Sequence, residues 1–314
     1  MDNGGSSESK TAITAAMLGN IAVAVTKFIA AAITGSSAMI SEGIHSLVDT
    51  GNGALLLFGL HASRQPPDVD HPFGHGKELY FWSFVVAIAI FAVGCGTSIY
   101  EGVSHLIAPQ PLGHPHWNYV VLGFAFLFEG ISWIFGWKAF RITKGKRGVI
   151  EAVHKSKDPA SFMVLFEDSA ALIGLIIAFC GIFIGNLLDS PYADGVASVL
   201  IGVVLGVVAF LLAYESKGLL IGEGVDKETL RRLRSLVEAD EGVEHCNRML
   251  TLHFGPHEIL LTLEVRFRYK LRIREGVRRL EQKLRQEEPD IQWIYFASES
   301  VVHEEADSEV MVQD

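Results

Sequence analysis

Six stretches of the first 217 residues are each long and apolar enough to cross a bilayer, near 12–34, 38–62, 80–107, 118–140, 162–187 and 194–216. A hydrocarbon core of about 30 Å needs about 20 apolar residues in a helix. Inside that core each segment must satisfy its own backbone polar groups, so such stretches can only build a bundle of transmembrane helices. From residue 218 the composition turns charged and amphipathic, and no further stretch qualifies. The 314 residues divide into four parts: a polar N-terminus over 1–10 expected to be disordered, a six-helix transmembrane domain over 11–217, a soluble domain over 218–300 and an acidic tail over 301–314.

Basic residues in the connections set the expected orientation. The segment 141–157, RITKGKRGVIEAVHKSK, carries six Lys and Arg, whereas the connections near 35–37, 108–117 and 188–193 carry none. The 62–79 connection holds Arg64 and Lys77, and Lys217 opens the soluble part. All basic connections fall on one side, which predicts a multi-pass protein with both termini in the cytoplasm. The first span lacks a short apolar region followed by a cleavage-type site, so it is expected to be retained. Trp117, Tyr119, Trp133 and Trp137 suit the two interfacial ends of the fourth span.

The soluble part reads helix, strand, strand, helix, strand. Asp226 is a good N-cap for KETLRRLRSLVEAD, and Leu230, Leu233, Leu236 and Val237 repeat at helical spacing. His245 to Phe254 and Glu258 to Tyr269 read as strands joined at Phe254-Gly255-Pro256-His257. A helix at 273–287 and a strand at 290–298 complete an αββαβ order, which suits a cytoplasmic α+β ferredoxin-like domain. The net charge of −10 is carried partly by the end of the chain, where Glu299 to Asp314 hold six acids and no base. The basic residues are juxtamembrane or scattered along one helix, so nucleic-acid binding is not expected. Cys95 and Cys180 fall in spans and Cys246 in the cytoplasmic domain, with no Cys-x-x-Cys, which argues against disulfides and thiolate metal sites.

Ionisable residues at membrane depth are costly and mark ion pathways by default. His45 and Asp49 stand four apart in SEGIHSLVDTGN, on one helical face. Asn52 follows on the same face. The fifth span offers Glu167 and Asp168 in FMVLFEDSAALIG. Asp168 sits deep enough for a pathway, while the adjacent Glu167 points about 100° away and is as well suited to a structural or proton-handling role. Glu129 in the fourth span can serve either a proton relay or the ion pathway. Asp194 is better read as an interfacial or helix N-terminal acid.

The loop Asp68-Val69-Asp70-His71-Pro72-Phe73-Gly74-His75-Gly76-Lys77 mixes two carboxylates with two imidazoles, which suits zinc or a similar borderline ion. His114 and His116 read as incidental loop residues. In the soluble domain His253 and His257 flank a turn and form a weaker candidate pair, with His245 nearby. No His-Glu-x-x-His occurs, so a zincin-type intramembrane protease is not expected.

The chain resembles the cation diffusion facilitator family of zinc and divalent-metal transporters. The residues that carry the likeness are GN-x6-KF-x5-TGSSAMISEGIHSLVDTGN, PPDVDHPFGHGKEL, YEGVSHLI, the acidic fifth span, YADGVASVLIG and LLIGEGVDKETL, from about residue 11 to about 300. The LFEDSAA run resembles the zinc-transporter-nine branch. The resemblance implies no enzymatic activity, but a homodimeric antiporter that exports a divalent cation from the cytoplasm in exchange for protons. It implies a transport site of His45 and Asp49 with Asp168 and zinc as the first choice of cation, while a set of one His and two or three oxygens also suits manganese, iron or cobalt. The family's fourth ligand position, four residues before Asp168, is Val164 here, so Glu167, Asn52, Glu129 or water would complete the site, or the chain would be a non-transporting metal-responsive subunit. Asp68, His71 and His75 match positions that bind a second metal in some members. A metal-binding His of the cytoplasmic domain is replaced by Thr262. Membrane lipid is then the expected surrounding, no organic substrate is expected, and a bacterial inner membrane or an organelle membrane is the expected setting.

Overall fold

The computed structural model describes residues 4–34, 37–109, 115–145, 148–188, 190–268 and 273–297, and some side chains inside those ranges, among them 4–12, 37–45 and 115–118, fall outside the description. Two compact units divide the chain at 221/222.

The first unit is all helical: α1 Gly4–Thr34, α2 Ser37–Ala62, α3 Lys77–Ala89, a π-helical segment Ile90–Cys95, α4 Gly96–Ile107, α5 Pro115–Lys144, α6 Val149–Lys155, α7 Pro159–Leu188 and α8 Ala193–Ile221. Among the described residues four spans are long and apolar enough to cross a membrane: Lys77–Ile107, Tyr119–Ile142, Pro159–Leu188 and Ala193–Ile221. Helix α1 starts at Gly4 and so takes in most of the 1–10 segment expected to be disordered. Nothing in Ser-Ser-Glu-Ser-Lys-Thr breaks a helix, and each residue added to an existing helix gains a backbone bond without a new nucleation cost.

Large apolar side chains point outward along the spans. Phe210 and Val207 on α8 and Ile176 and Phe183 on α7 are all more than half exposed, as a lipid-facing surface requires. The interior is held by Leu56 and Leu60 of α2, Leu79 and Val86 of α3, Phe162 to Leu165 of α7, and Ala209 and Leu212 of α8. The short helix α6 tucks Ala152 and Val153 into the same core, which fastens the basic connection to the bundle. Trp133 and Trp137, expected at the interfacial end of the fourth span, are half-buried side by side. They stack at 5.7 Å with planes 7° apart and pack against the core, because α5 turns that face toward α7.

The second unit consists of α9 Lys227–Glu238, β1 Val243–Gly255, β2 Glu258–Phe267, α10 Ile273–Glu287 and β3 Ile291–Ala297. Asp226 caps α9 by accepting from the N–H groups of Glu228 and Thr229. The sheet order is β1-β2-β3, with β1 antiparallel and β3 parallel to β2. A parallel β2–β3 pair needs a crossover, and α10 supplies it. Leu261, Leu263 and Val265 alternate inward from β2 onto Leu233 and Val237 of α9 and Leu280 and Leu284 of α10.

Candidate functional site

Helix α2 carries a stripe at three- and four-residue spacing that changes character along its length. Ser46, Asp49 and Asn52 precede Leu56 and Leu60 on one face. Ser46 and Asn52 are buried, and Asp49 is half-buried. The apolar half of the stripe anchors the helix in the core, so the polar half is held at fixed depth. His45, one turn before Asp49, has its side chain outside the described residues.

Helix α7 lies between two neighbours, and its adjacent acids address one each. The side-chain amide of Asn52 on α2 donates to Glu167 Oε1 at 3.3 Å. Asp168 is 4% exposed and accepts from the Ser132 hydroxyl of α5, Oγ to Oδ2 2.6 Å. The 100° between consecutive residues, which seemed to keep Glu167 out of a shared site, instead splits the acidic pair between α2 and α5. Asp49, Asp168 and Glu129 all lie close enough for their charges to act on Glu167, and Asp49 acts on Asp168 as well. Glu167 therefore lies within electrostatic reach of carboxyl groups on α2, on α5 and on its own helix.

Helix α5 runs beside α7 at Gly136, where a methyl group built on the glycine would stand in ordinary contact, 3.5 Å from the backbone of Leu165 and 3.7 Å from Val164. One turn further, Ser132 meets Asp168, and beside it the Trp133 indole N–H donates to Ser169 Oγ at 2.9 Å. Val164 is buried in the apolar core, and the position that holds a ligand in the resembled family is here a packing contact. Ser132 was missed in the sequence. The signal available was its place three residues after Glu129 on the same face of an apolar helix.

The loop between α2 and α3 brings its predicted residues together. Ligand atoms of Asp68, His71 and His75 all lie within 4.8 Å of one another, the only such trio among the described residues. The His71 backbone N–H donates to Asp68 Oδ1 at 2.6 Å, and His75 Nε2 lies 3.0 Å from Oδ2. The two imidazoles sit 4.2 Å apart, centre to centre. Gly74, with φ at +86°, provides the left-handed turn that folds His75 back. The His71 N–H, aided by His75, holds the Asp68 carboxyl below its usual range and keeps it ionised. One carboxylate and two imidazoles fit a zinc-type donor set with an open position.

Other candidates do not converge. His253 is buried on β1, with Nδ1 3.4 Å from the Gly255 carbonyl, whereas the exposed His257 pairs with Asp290 at 3.3 Å. Thr262 lies on β2 with its hydroxyl 3.5 Å from the Leu250 carbonyl. Asp194 sits in the first turn of α8 and binds His105 of α4 at 3.0 Å, in keeping with a helix N-terminal acid. The side chains of His114 and His116 lie outside the described residues.

Comparison with known proteins gives one family, the cation efflux transmembrane domain, over residues 13–221. The mitochondrial proton-coupled zinc antiporter SLC30A9 of Homo sapiens is 34% identical over 243 residues, covering 77% of this chain and 43% of that protein. Metal tolerance protein C4 of Arabidopsis thaliana is 30% identical over 273 residues, 86% of this chain and 60% of that protein. Manganese efflux system protein MneP of Bacillus subtilis is 25% identical over 267 residues, 83% of this chain and 84% of that protein. The chain thus spans less than half the length of the mitochondrial antiporter.

Proposed function

Because the chain belongs to the cation efflux family, in the branch that includes zinc transporter nine, we propose that it is a transporter, not an enzyme, and that it exports a divalent cation, zinc first, in exchange for protons. The observation that carries this reading is the gathering of Asp49, Glu167 and Asp168 with Asn52 and Glu129 inside the helical unit. Carboxylates this close repel one another and lose hydration on burial. A divalent cation offsets both costs when the groups are ionised, and protons offset them when the metal has left. Metal and protons therefore compete for one set of oxygens, which is the chemical basis of antiport.

In this reading α1, α2, the α3–α4 span, α5, α7 and α8 form six transmembrane helices with both termini cytoplasmic. Metal enters from the cytoplasm, His45 adds a nitrogen ligand to the oxygens of Asp49 and Asp168, and Asn52 and Glu167 complete the set in place of Val164. Rocking of helices alternates access. The loop trio Asp68, His71 and His75 binds a second metal. The αββαβ unit is ferredoxin-like and joins two copies as a homodimer. A bacterial inner membrane and an organelle membrane both suit this reading, the latter supported by the mitochondrial relative's name. The oxygen-rich donor set also supports manganese as the alternative cargo, as does the name of the Bacillus subtilis relative.

The test is metal flux into vesicles reconstituted with the full chain under an imposed pH gradient. Zinc flux that follows the proton gradient is expected, with loss of more than about 90% in Asp49→Ala and Asp168→Ala. Binding without flux in the intact protein would make the chain a metal-responsive subunit instead.

A further inference from the structure

The membrane site contains one side chain whose chemistry the transport reading leaves unused. Ser132 is 3% exposed, lies on α5 one turn from Gly136, and gives its hydroxyl proton to Asp168 Oδ2 at 2.6 Å. That is an ordinary length for a hydroxyl donating to a carboxylate, a charge-assisted class of hydrogen bond stronger than the neutral one. The bond is held from the protein side. The neighbouring Trp133 to Ser169 bond ties the same stretch of α5 to α7, one turn from where Gly136 lies beside Leu165 and Val164.

A carboxylate can meet a metal with one oxygen or with two. Zinc is satisfied by four ligands in a tetrahedron and takes single oxygens readily. Larger, harder cations gather six or more oxygens and gain from bidentate carboxylates. We propose that Ser132 is a specificity-determining residue: by engaging Oδ2 it leaves Asp168 to bind metal through Oδ1 alone, and so favours zinc over manganese. This rests on the reading that Asp168 is a ligand of the transported cation. Ser132 touches the ligand and not the metal, so it acts as a positioning residue.

The experiment compares Ser132→Ala and Ser132→Thr with the unaltered chain, using the purified full-length protein. Manganese is titrated against bound zinc at equilibrium, and zinc and manganese flux are measured on the same vesicle preparations. Because the readout is a ratio of two metals on one sample, the folded fraction cancels. In Ser132→Ala the manganese-to-zinc preference is expected to rise at least about fivefold, the order expected for one lost charge-assisted hydrogen bond. In Ser132→Thr, which keeps the hydroxyl, the ratio stays at the starting value even if the extra methyl lowers yield. An unchanged ratio in Ser132→Ala, with or without loss of flux, overturns the proposal, as does a shift of equal size in Ser132→Thr. Asp168→Ala separates the two levels: if it binds and transports zinc normally, the reading of the site fails, whereas an inactive Asp168→Ala beside an unshifted Ser132→Ala rejects only the role given to Ser132.

Discussion

Asp68 and Asp168 are the same side chain offered to a divalent cation from opposite surroundings. Asp68 stands in a loop with its side chain about half exposed, its charge held by the His71 N–H and by His75. Water competes there for any metal, although the His75 side chain itself is largely covered. Asp168 is buried on α7 and reached by Ser132 from α5. If both hold metal, they differ in what their loss does. Asp68→Asn keeps the turn, because the amide oxygen can still accept from His71, but it removes the anionic ligand. Bound zinc is expected to fall by about one equivalent per chain, since a three-donor site that loses its only carboxylate no longer balances the ion. Flux at saturating zinc is expected to stay within about threefold, because the loop trio is separate from the buried carboxylates. Equilibrium dialysis beside vesicle flux checks both halves, and abolished flux in Asp68→Asn would join the loop to the transport path.

Helices α4 and α8 touch at their backbones. A methyl group built on Gly102 would lie 2.7 Å from the Val199 nitrogen and 2.8 Å from the Gly195 carbonyl, and one on Gly202 would lie 2.6 Å from Ile99. Small residues allow such approach in membranes, where no hydrophobic effect drives helix against helix and packing must serve instead. Gly102→Ala should therefore force the pair apart and cost about 1–3 kcal/mol. Gly123→Ala on α5 meets nothing within 4 Å and should be neutral or stabilising by up to about 1 kcal/mol from helix propensity. Thermal unfolding of the two variants in one detergent tests the contrast, and equal midpoints would refute the close contact. The same geometry shows what the sequence could and could not reveal. Long apolar helices are legible because length and hydropathy are local properties, and so is the loop trio, whose donors lie within eight residues. The part played by Ser132 was not legible, although Glu129 on the same helix was. Ser132 carries neither charge nor unusual polarity, and its partner depends on how α5 and α7 are turned against each other, a tertiary property. The stacking of Trp133 on Trp137 against the core is tertiary in the same way. The π-helical turn over Ile90–Cys95 leaves no compositional mark either, since its hydrogen-bond pattern changes while its residues stay apolar.

At the scale of the whole chain, the two units should answer acid differently, and this separates transport from stability. Among its described residues the second unit has one strongly perturbed carboxyl. Asp240, with its side chain 1% exposed, accepts from Arg279 at 2.8 and 2.6 Å, from Lys283 at 2.9 Å and from the Gly242 N–H at 3.1 Å. The Arg279 bonds first, then Lys283 and Gly242, hold it well below the usual carboxylate range against the opposing effect of burial. A group whose folded value lies below its unfolded value stabilises fully above the unfolded value, about pH 3.9 for Asp, and loses that contribution only as pH falls further. From about pH 7.5 to about pH 5.5 the network is therefore constant, although this window spans the range in which proton-coupled transport is expected to change. Hydrogen exchange of β1 and α10 in the full-length protein, corrected for intrinsic rate, should show equal protection at both ends of the window while zinc flux changes. Asp240→Asn should lower that protection by the same amount at both pH values, about 1 kcal/mol given that the Arg279 and Lys283 side chains are nearly half exposed. In strong acid the unaltered protein should converge on the variant. Protection that falls together with flux between the two pH values would move the proton-sensitive element out of the helical unit and into the second one.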